Sequence, residues 1–240
     1  MSGSRALEAH IGTDVRFTIA MGPMLDATDP WIRWDWVGNH VDLILGDLGQ
    51  HIELTVIAVG VGILVAIPIG VLAWRYRGSR GPVLGLAGGL YTIPSLALFA
   101  LLVPWTGLTV LTAEIGLVAY TLLILVRNIV VGLDGVPGEV RDAAAGMGYR
   151  PLRQLLRVEL PLALPVIIAG VRIATVTTIG LVTITALLGQ GGLGELLLDG
   201  LIRDFRTPLV VGAVLSVALA IVCDVLLATI QRLLTPWARA

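Results

Sequence analysis

Arg172 and Asp224 carry charge in the middle of otherwise apolar stretches. Each lies roughly ten residues, or about 15 Å of helix, from the arginine-flanked end of its stretch. An isolated charge at such a depth in a bilayer costs several kcal/mol, so their matched depth predicts a contact between them, with Arg127 as a competing partner. A clamp between helices outranks a role in holding a solute. Tyr91, Thr92, Ser95 and Tyr120 are the polar or aromatic groups best placed to face a pathway between such stretches. Ordinary helix packing accounts for them equally well.

A different chemistry is written in residues 139–165, EVRDAAAGMGYRPLRQLLRVELPLALP. This stretch is too polar to span a membrane and too long for a turn. Ala143, Ala144 and Ala145, beside Asp142, predict a short helix without bulk, able to enter a groove on another protein. Gly148 permits a sharp turn. Pro151 suits the opening of a second helix, in which Leu152, Leu155, Leu156 and Val158 form an apolar face. Arg150, Arg153 and Arg157 are then free for a partner or for lipid phosphates, and Leu160 and Pro161 are expected to end this helix and start the next span.

Several chemistries are excluded. All sixteen basic residues are arginine. Without a lysine to reach nucleotide phosphates, the chain holds no Walker A site. Gly189, Gly191 and Gly194 satisfy the spacing GxGxxG, but they follow an apolar span and no acidic residue stands where a ribose-binding carboxylate belongs. They are read as a flexible turn that gives a gate or a partner room to approach. His10, His40 and His51 lack ligand-like spacing, and Cys223 lies in an apolar run as a small hydrophobe. A net charge of −1 offers no basic face for nucleic acid. No cluster of Asp, His, Cys or Ser resembles a catalytic constellation.

The elements that position these residues follow from composition. Hydrophobic residues make up 56% and charged residues 14% of the chain, with a mean hydropathy of +0.91. A bilayer-spanning helix needs about 20 mostly apolar residues. Five runs qualify, over residues 52–74, 82–103, 111–133, 162–188 and 208–234. Arg75, Arg77 and Arg80, then Arg141, Arg150, Arg153 and Arg157, then Arg232 and Arg239 fall on one side by parity. The positive-inside rule makes that side cytoplasmic, with the N-terminus outside and the C-terminus inside. The expected fold is all-α in one domain: an extracytoplasmic segment 1–50, a transmembrane domain 51–234 with a cytoplasmic loop 134–161, and a tail 235–240. No cleavable signal peptide is expected, and translation starting at Met21 or Met24 is an alternative to Met1. Val37, Val41, Ile44, Leu45 and Leu48 predict an amphipathic helix on the outer membrane surface, led by an aromatic belt of Trp31, Trp34 and Trp36 rather than a cation cage.

The loop resembles the EAA loop of binding-protein-dependent ABC importer permeases. The family pattern is EAA, three residues, G, nine residues, I, any residue, then LP. Asp142, Ala143, Ala144, Gly148, Val158, Leu160 and Pro161 match it at every gap, with Asp142 for glutamate and Val158 for isoleucine. The resemblance implies the type I importer permease fold and a coupling role for this loop against an ATP-hydrolysing subunit. ATP and magnesium would then bind that partner, with no cofactor in this chain. It also implies a second permease chain, identical or related, a substrate-binding protein outside, and location in a bacterial inner membrane. Residues 92–104, 125–133, 169–176 and 187–201 are similar to the osmoprotectant branch, which handles glycine betaine, carnitine and choline. An importer for an amino acid such as methionine shares the loop and the five-span core, and a membrane scaffold that does not transport is the reading from another class.

Overall fold

The computed structural model describes residues 30–239, and the alternative starts at Met21 and Met24 lie outside them. Within those residues every regular element is helical: α1 (Trp34–Asn39), α2 (Val41–Arg75), α3 (Arg77–Thr92), α4 (Ser95–Thr106), α5 (Val110–Asp134), α6 (Gly138–Gly146), α7 (Pro151–Gln154), α8 (Leu160–Val182), α9 (Leu193–Ile202) and α10 (Arg206–Leu234). Among the described residues α2, α5, the helix Pro151–Leu188 and α10 are each long and apolar enough to cross a membrane. The bent pair of α3 and α4 makes a fifth span if it is counted as one.

Lipid offers no hydrophobic drive between helices, so close packing must hold the bundle together, and small residues permit it. Ala58, Gly62, Ala66, Gly70 and Ala73 form a buried stripe on α2 at intervals of three or four residues. It lies against α5. A Cβ at Gly62 would stand 2.2 Å from Thr121 Oγ1, and one at Gly70 would stand 2.7 Å from Ile129 Cγ2. Across this seam Leu125, Val126, Ile129, Val130 and Leu133 meet Ala66 and Ala73, and Ala163 and Ala174 of α8 complete the cluster. A second cluster, with Leu54, Phe99, Leu117 and Val182, fills the other end of the bundle.

The structure departs from the sequence expectations in four places. The segment expected as a separate amphipathic helix divides into the short α1 and the first turns of α2. At 35 residues α2 is about 50 Å long and outreaches a bilayer core of about 30 Å. Of the expected apolar face, Val37, Ile44 and Leu48 pack with Leu193 and Leu196 of α9, while Val41 and Leu45 stay exposed. Second, the run 82–103 is bent by 94° between α3 and α4. Pro94 drives Ile93 into an extended conformation, with φ −66° and ψ 126°, which ends α3.

Third, α8 begins at Leu160 as expected, but without a break from the helix before it. Residues 151–188 run through continuously, by way of a π turn at Leu155–Glu159 and a closing 3₁₀ stretch at Thr183–Leu188. The widened turn explains how Pro161 fits: the Leu160 N–H bonds the Leu155 carbonyl, and the extra residue accommodates a ring that would otherwise clash one turn back. Fourth, the glycine turn is open only at Gly189, which is exposed with nothing within 4 Å of an added Cβ, and is packed beyond it. Gly191, Gly192 and Gly194 are buried. A Cβ at Gly194 would meet the Thr183 carbonyl at 2.4 Å, and one at Gly191 would meet Ala186 Cα at 2.3 Å.

Arg172 and Asp224 meet as a two-pronged pair that ties α8 to α10. Arg172 Nε and Nη2 donate to Asp224 Oδ1 and Oδ2, each at 2.9 Å. Arg172 Nη1 donates to Gln231 Oε1 at 3.3 Å, while Gln231 Nε2 donates to the Pro165 carbonyl at 3.0 Å. Arg127 takes no part in this contact.

Two outcomes follow from this packing. Gly62→Val forces α2 away from α5 and costs about 1–3 kcal/mol, read as a lower unfolding temperature in detergent. Gly60→Ala, with nothing within 4 Å of the added Cβ, leaves that temperature unchanged. Arg172→Asp or Asp224→Arg alone lowers the yield of folded protein several-fold, and the double exchange restores it. A double exchange that recovers nothing would remove the pair from any account of stability.

Candidate functional site

Residues 134–161 form a hinged helical pair at the arginine-rich end of the bundle. α6 opens after Pro137 and carries Glu139 in its first turn, where an acidic side chain favours the helix dipole. Its end is closed by a double backbone cap: the Gly148 N–H bonds the Ala145 carbonyl at 2.9 Å, and the Tyr149 N–H bonds the Ala144 carbonyl at 3.2 Å. This Schellman arrangement requires a left-handed residue, and Gly148 supplies it with φ +78°. The chain then turns through Arg150, and Pro151 opens α7 with its missing N–H at a position that needs none.

The pair is anchored on one side and uncovered on the other. Ala144 is the buried residue of α6, while Asp142, Ala143 and Ala145 are exposed. Met147 is 70% and Leu152 67% exposed, and Leu156 lies open beyond them. Leu155 packs against the bundle core, so the apolar face expected of the second helix is split between inside and outside. Arg150, Arg153 and Arg157 are exposed, with the Arg153 guanidinium 5.1 Å from the Tyr149 ring centroid. Val158, Leu160 and Pro161 are half-buried where the helix enters the bundle. A cleft of about 420 Å³ runs beside the pair, lined by Val71 and Trp74 of α2 and by Pro151, Leu152 and Leu155.

Three residues here escaped the sequence reading as site residues. Arg141 entered it only as a topological charge, and Trp74 only as the end of a span. Glu159 is 4% exposed, a carboxylate buried beside the π turn. Its one signal in the sequence is an acid set between Arg157 and the apolar residues that follow. Arg141 Nε lies 3.6 Å from Glu159 Oε1, which also accepts from Gln154 Nε2 at 2.9 Å. Arg80 Nη1 pairs with Asp134 Oδ2 at 2.6 Å and holds the start of α3 to the end of α5.

The four pathway candidates gather at the break between α3 and α4. Tyr91 and Tyr120 stand edge to face with centroids 5.7 Å apart. The Tyr120 hydroxyl donates to the Ile93 carbonyl, and the Thr92 hydroxyl donates to the Gly89 carbonyl at 2.7 Å. Ser95 begins α4. At the far end of the bundle Trp36 stacks on His40 at 4.3 Å, and the Arg206 guanidinium lies 5.1 Å from the Trp31 ring centroid. Those rings contact the protein's own groups, and Trp34 is exposed. They form no shared cage.

Comparison with known proteins places this arrangement in a family. The model described as "Binding-protein-dependent transport system inner membrane component" matches residues 58–239. The osmoprotectant import permease protein OsmW of Salmonella typhimurium is 44% identical over 192 residues, covering 78% of this chain and 89% of that protein. The choline transport system permease protein OpuBB of Bacillus subtilis is 39% identical over 187 residues, covering 78% and 86%. The glycine betaine/carnitine/choline transport system permease protein OpuCB of the same organism is 36% identical over 193 residues, covering 80% and 89%. A chain from inward-facing structures of the MetNI methionine ABC transporter shares the fold at a TM-score of 0.73 and 21% identity, over 82% of this chain and 98% of that one. The family match extends from the α2 stripe through the hinged loop to the end of α10, and the chain therefore belongs to the binding-protein-dependent transport system inner membrane components, as a multi-pass ABC importer permease and not itself an enzyme.

Proposed function

We propose that this chain forms the membrane pathway through which glycine betaine, choline, carnitine or a related osmoprotectant is imported at the expense of ATP hydrolysed by a separate subunit. The observation that carries the coupling half of this reading is the hinged pair α6–α7, whose small and apolar side chains stand uncovered beside exposed arginines. The substrate half rests on relatives at 36–44% identity whose names specify osmoprotectant, choline, or glycine betaine and carnitine transport. The methionine transporter shares the fold at 21% identity and carries no argument about substrate.

The arginine-rich end is cytoplasmic in this reading, so α6–α7 meets the ATPase there and the start of α2 faces the outside. ATP and magnesium bind the ATPase, and a substrate-binding protein delivers solute at the opposite face. One chain supplies half of the pathway, and a second permease, identical or related, supplies the rest. Closure of the ATPase pair brings the two docked loops together and shifts the spans between inward and outward access, each ligand favouring the state it binds better. The solute is small and uncharged overall or cationic. Tyr91 and Tyr120 at the α3–α4 break are the aromatic groups of this chain best placed along its route.

Two experiments test this. Gly148→Val puts a β-branched side chain at φ +78°, misdirects the turn between α6 and α7, and lowers the ATPase recovered with the permease from native membranes by about tenfold. Gly148→Asn, a residue that tolerates the left-handed region, retains most of it. Wild-type permease that brings down no ATPase would sink the coupling reading. In a strain lacking other importers, radiolabelled glycine betaine, choline and carnitine are assayed separately, and at least one is expected to enter in an ATP-dependent manner. An associated ATPase with uptake of none of them keeps the machine and removes the assigned substrate class.

A further inference from the structure

Arg141 stands on the docking helix, one residue before Asp142, and its guanidinium reaches three spans at once. Nη2 donates to the Leu133 carbonyl in the last turn of α5. Cζ lies 5.2 Å from the Trp74 ring centroid at the end of α2. Nε points toward Glu159 at the close of the π turn in the helix Pro151–Leu188, 3.6 Å from Oε1. Ala144 is the buried residue of α6, so the helix has little other hold on the bundle. A planar fork with donors in several directions serves such a junction, and the single ammonium of a lysine does not.

The junction leaves room for a closer setting. Arg141 Nε is sealed from solvent and makes no hydrogen bond, although a carboxylate only 4% exposed stands beside it. A hydrogen bond forms at about 2.7–3.2 Å, so a displacement of roughly 0.5 Å closes that gap. The element on the far side is a π turn, an irregularity that lets a helix change register locally without losing its ladder. A shift of α6 relative to the bundle therefore makes or breaks a charge-assisted bond at the root of one span while it pulls on the ends of two others.

We propose that Arg141, with Glu159 and Trp74 as its seats, is the positioning residue that passes movement of the docked α6 into α2, α5 and the helix Pro151–Leu188. This rests on the reading of α6–α7 as the ATPase-docking pair. Residues that dock set whether the ATPase binds. Arg141 sets whether its closure is felt by the spans. The two functions separate in space because Asp142, Ala143 and Met147 are exposed, whereas the Arg141 guanidinium is turned back into the bundle.

The test uses the whole complex in proteoliposomes, with ATP hydrolysis and uptake measured together for whichever of glycine betaine, choline and carnitine the wild type carries. Arg141→Gln and Glu159→Gln are each expected to retain the ATPase and its hydrolysis while uptake per ATP falls roughly tenfold, the scale of a coupling free energy. The double variant falls no further than either single one, because both act through one contact. Trp74→Phe preserves a ring beneath the guanidinium and keeps uptake per ATP near the wild-type value, whereas Trp74→Leu lowers it. Unchanged uptake per ATP in both Arg141→Gln and Glu159→Gln overturns the proposal. So does loss of the ATPase from these variants, which would make them docking residues. Wild type that recovers no ATPase overturns the docking reading instead. Elution of each variant as wild type does, in detergent, separates these outcomes from misfolding, and Arg141→Lys, which keeps the charge but not the fork, gives an intermediate ratio if the fork matters.

Discussion

A backbone carbonyl or N–H stripped of its helical partner inside a bilayer costs several kcal/mol, because no water reaches it. A departure from regular helix within the spans therefore calls for a replacement, and side chains supply one at the α3–α4 break and in the 3₁₀ stretch. At the α3–α4 break the Ile93 carbonyl is taken up by the Tyr120 hydroxyl from a helix 27 positions further along the chain. The 3₁₀ stretch at Thr183–Leu188 is held by the Thr185 hydroxyl, which donates to the Val182 carbonyl at 2.7 Å and the Gln190 carbonyl at 2.9 Å. Polar side chains that a sequence reading assigns to solute are thus claimed first by the backbone.

This constraint divides the bundle into a rigid part and adjustable parts. The α2–α5 seam is locked by close contact of small residues, since atoms near 3 Å of a missing Cβ leave no room for sliding. Irregular turns sit at its edges: the α3–α4 break against α5, and the π turn where the helix Pro151–Leu188 leaves the loop. The hinged pair α6–α7 hangs from that second edge. In the proposed reading a docked partner pushes against the π turn of that helix, where the hydrogen-bond ladder already has slack. A deformable element at that end would convert small shifts there into rearrangement of packed spans, which respond in steps rather than by continuous bending.

What could be read from the sequence follows the range of the interactions involved. Spans depend on local apolar content, and four of the five runs are single long helices in the structure. The loop depends on a short pattern with fixed gaps, whose glycine has a local cause in the left-handed cap at Gly148. The features that escaped depend on distant partners. Proline in a membrane helix signals a kink or a break, and at Pro94 the choice is made with Tyr120, which no local window contains. The amphipathic face of Val37, Ile44 and Leu48 was legible, but its partner was not, because α9 lies about 150 residues away and offers the same apolar chemistry as lipid. Gly189, Gly191 and Gly194 read as freedom, which Gly189 keeps, while Gly191 and Gly194 serve contact. Arg172 and Asp224 were legible as a pair because charge at matched depth leaves few alternatives.

The same logic of satisfaction bears on whether one copy of this chain is a complete unit in lipid. Both carboxylate oxygens of Glu114 on α5 are buried and meet no donor among the described residues. Arg127, further along α5, is exposed on a helix that spans the bilayer. Only 11% of the apolar window of α10 is buried, and Val214, Val217, Ile221 and Val225 lie open along it. An open apolar helix face is at ease in acyl chains, so α10 by itself demands nothing. A polar or ionisable group in the membrane is different, since lipid supplies neither a counterion nor a hydrogen bond. Glu114 and Arg127 on α5, more than the greasy face of α10, therefore call for a polar neighbour or water. That requirement agrees with the proposed reading, in which one chain lines half of a route.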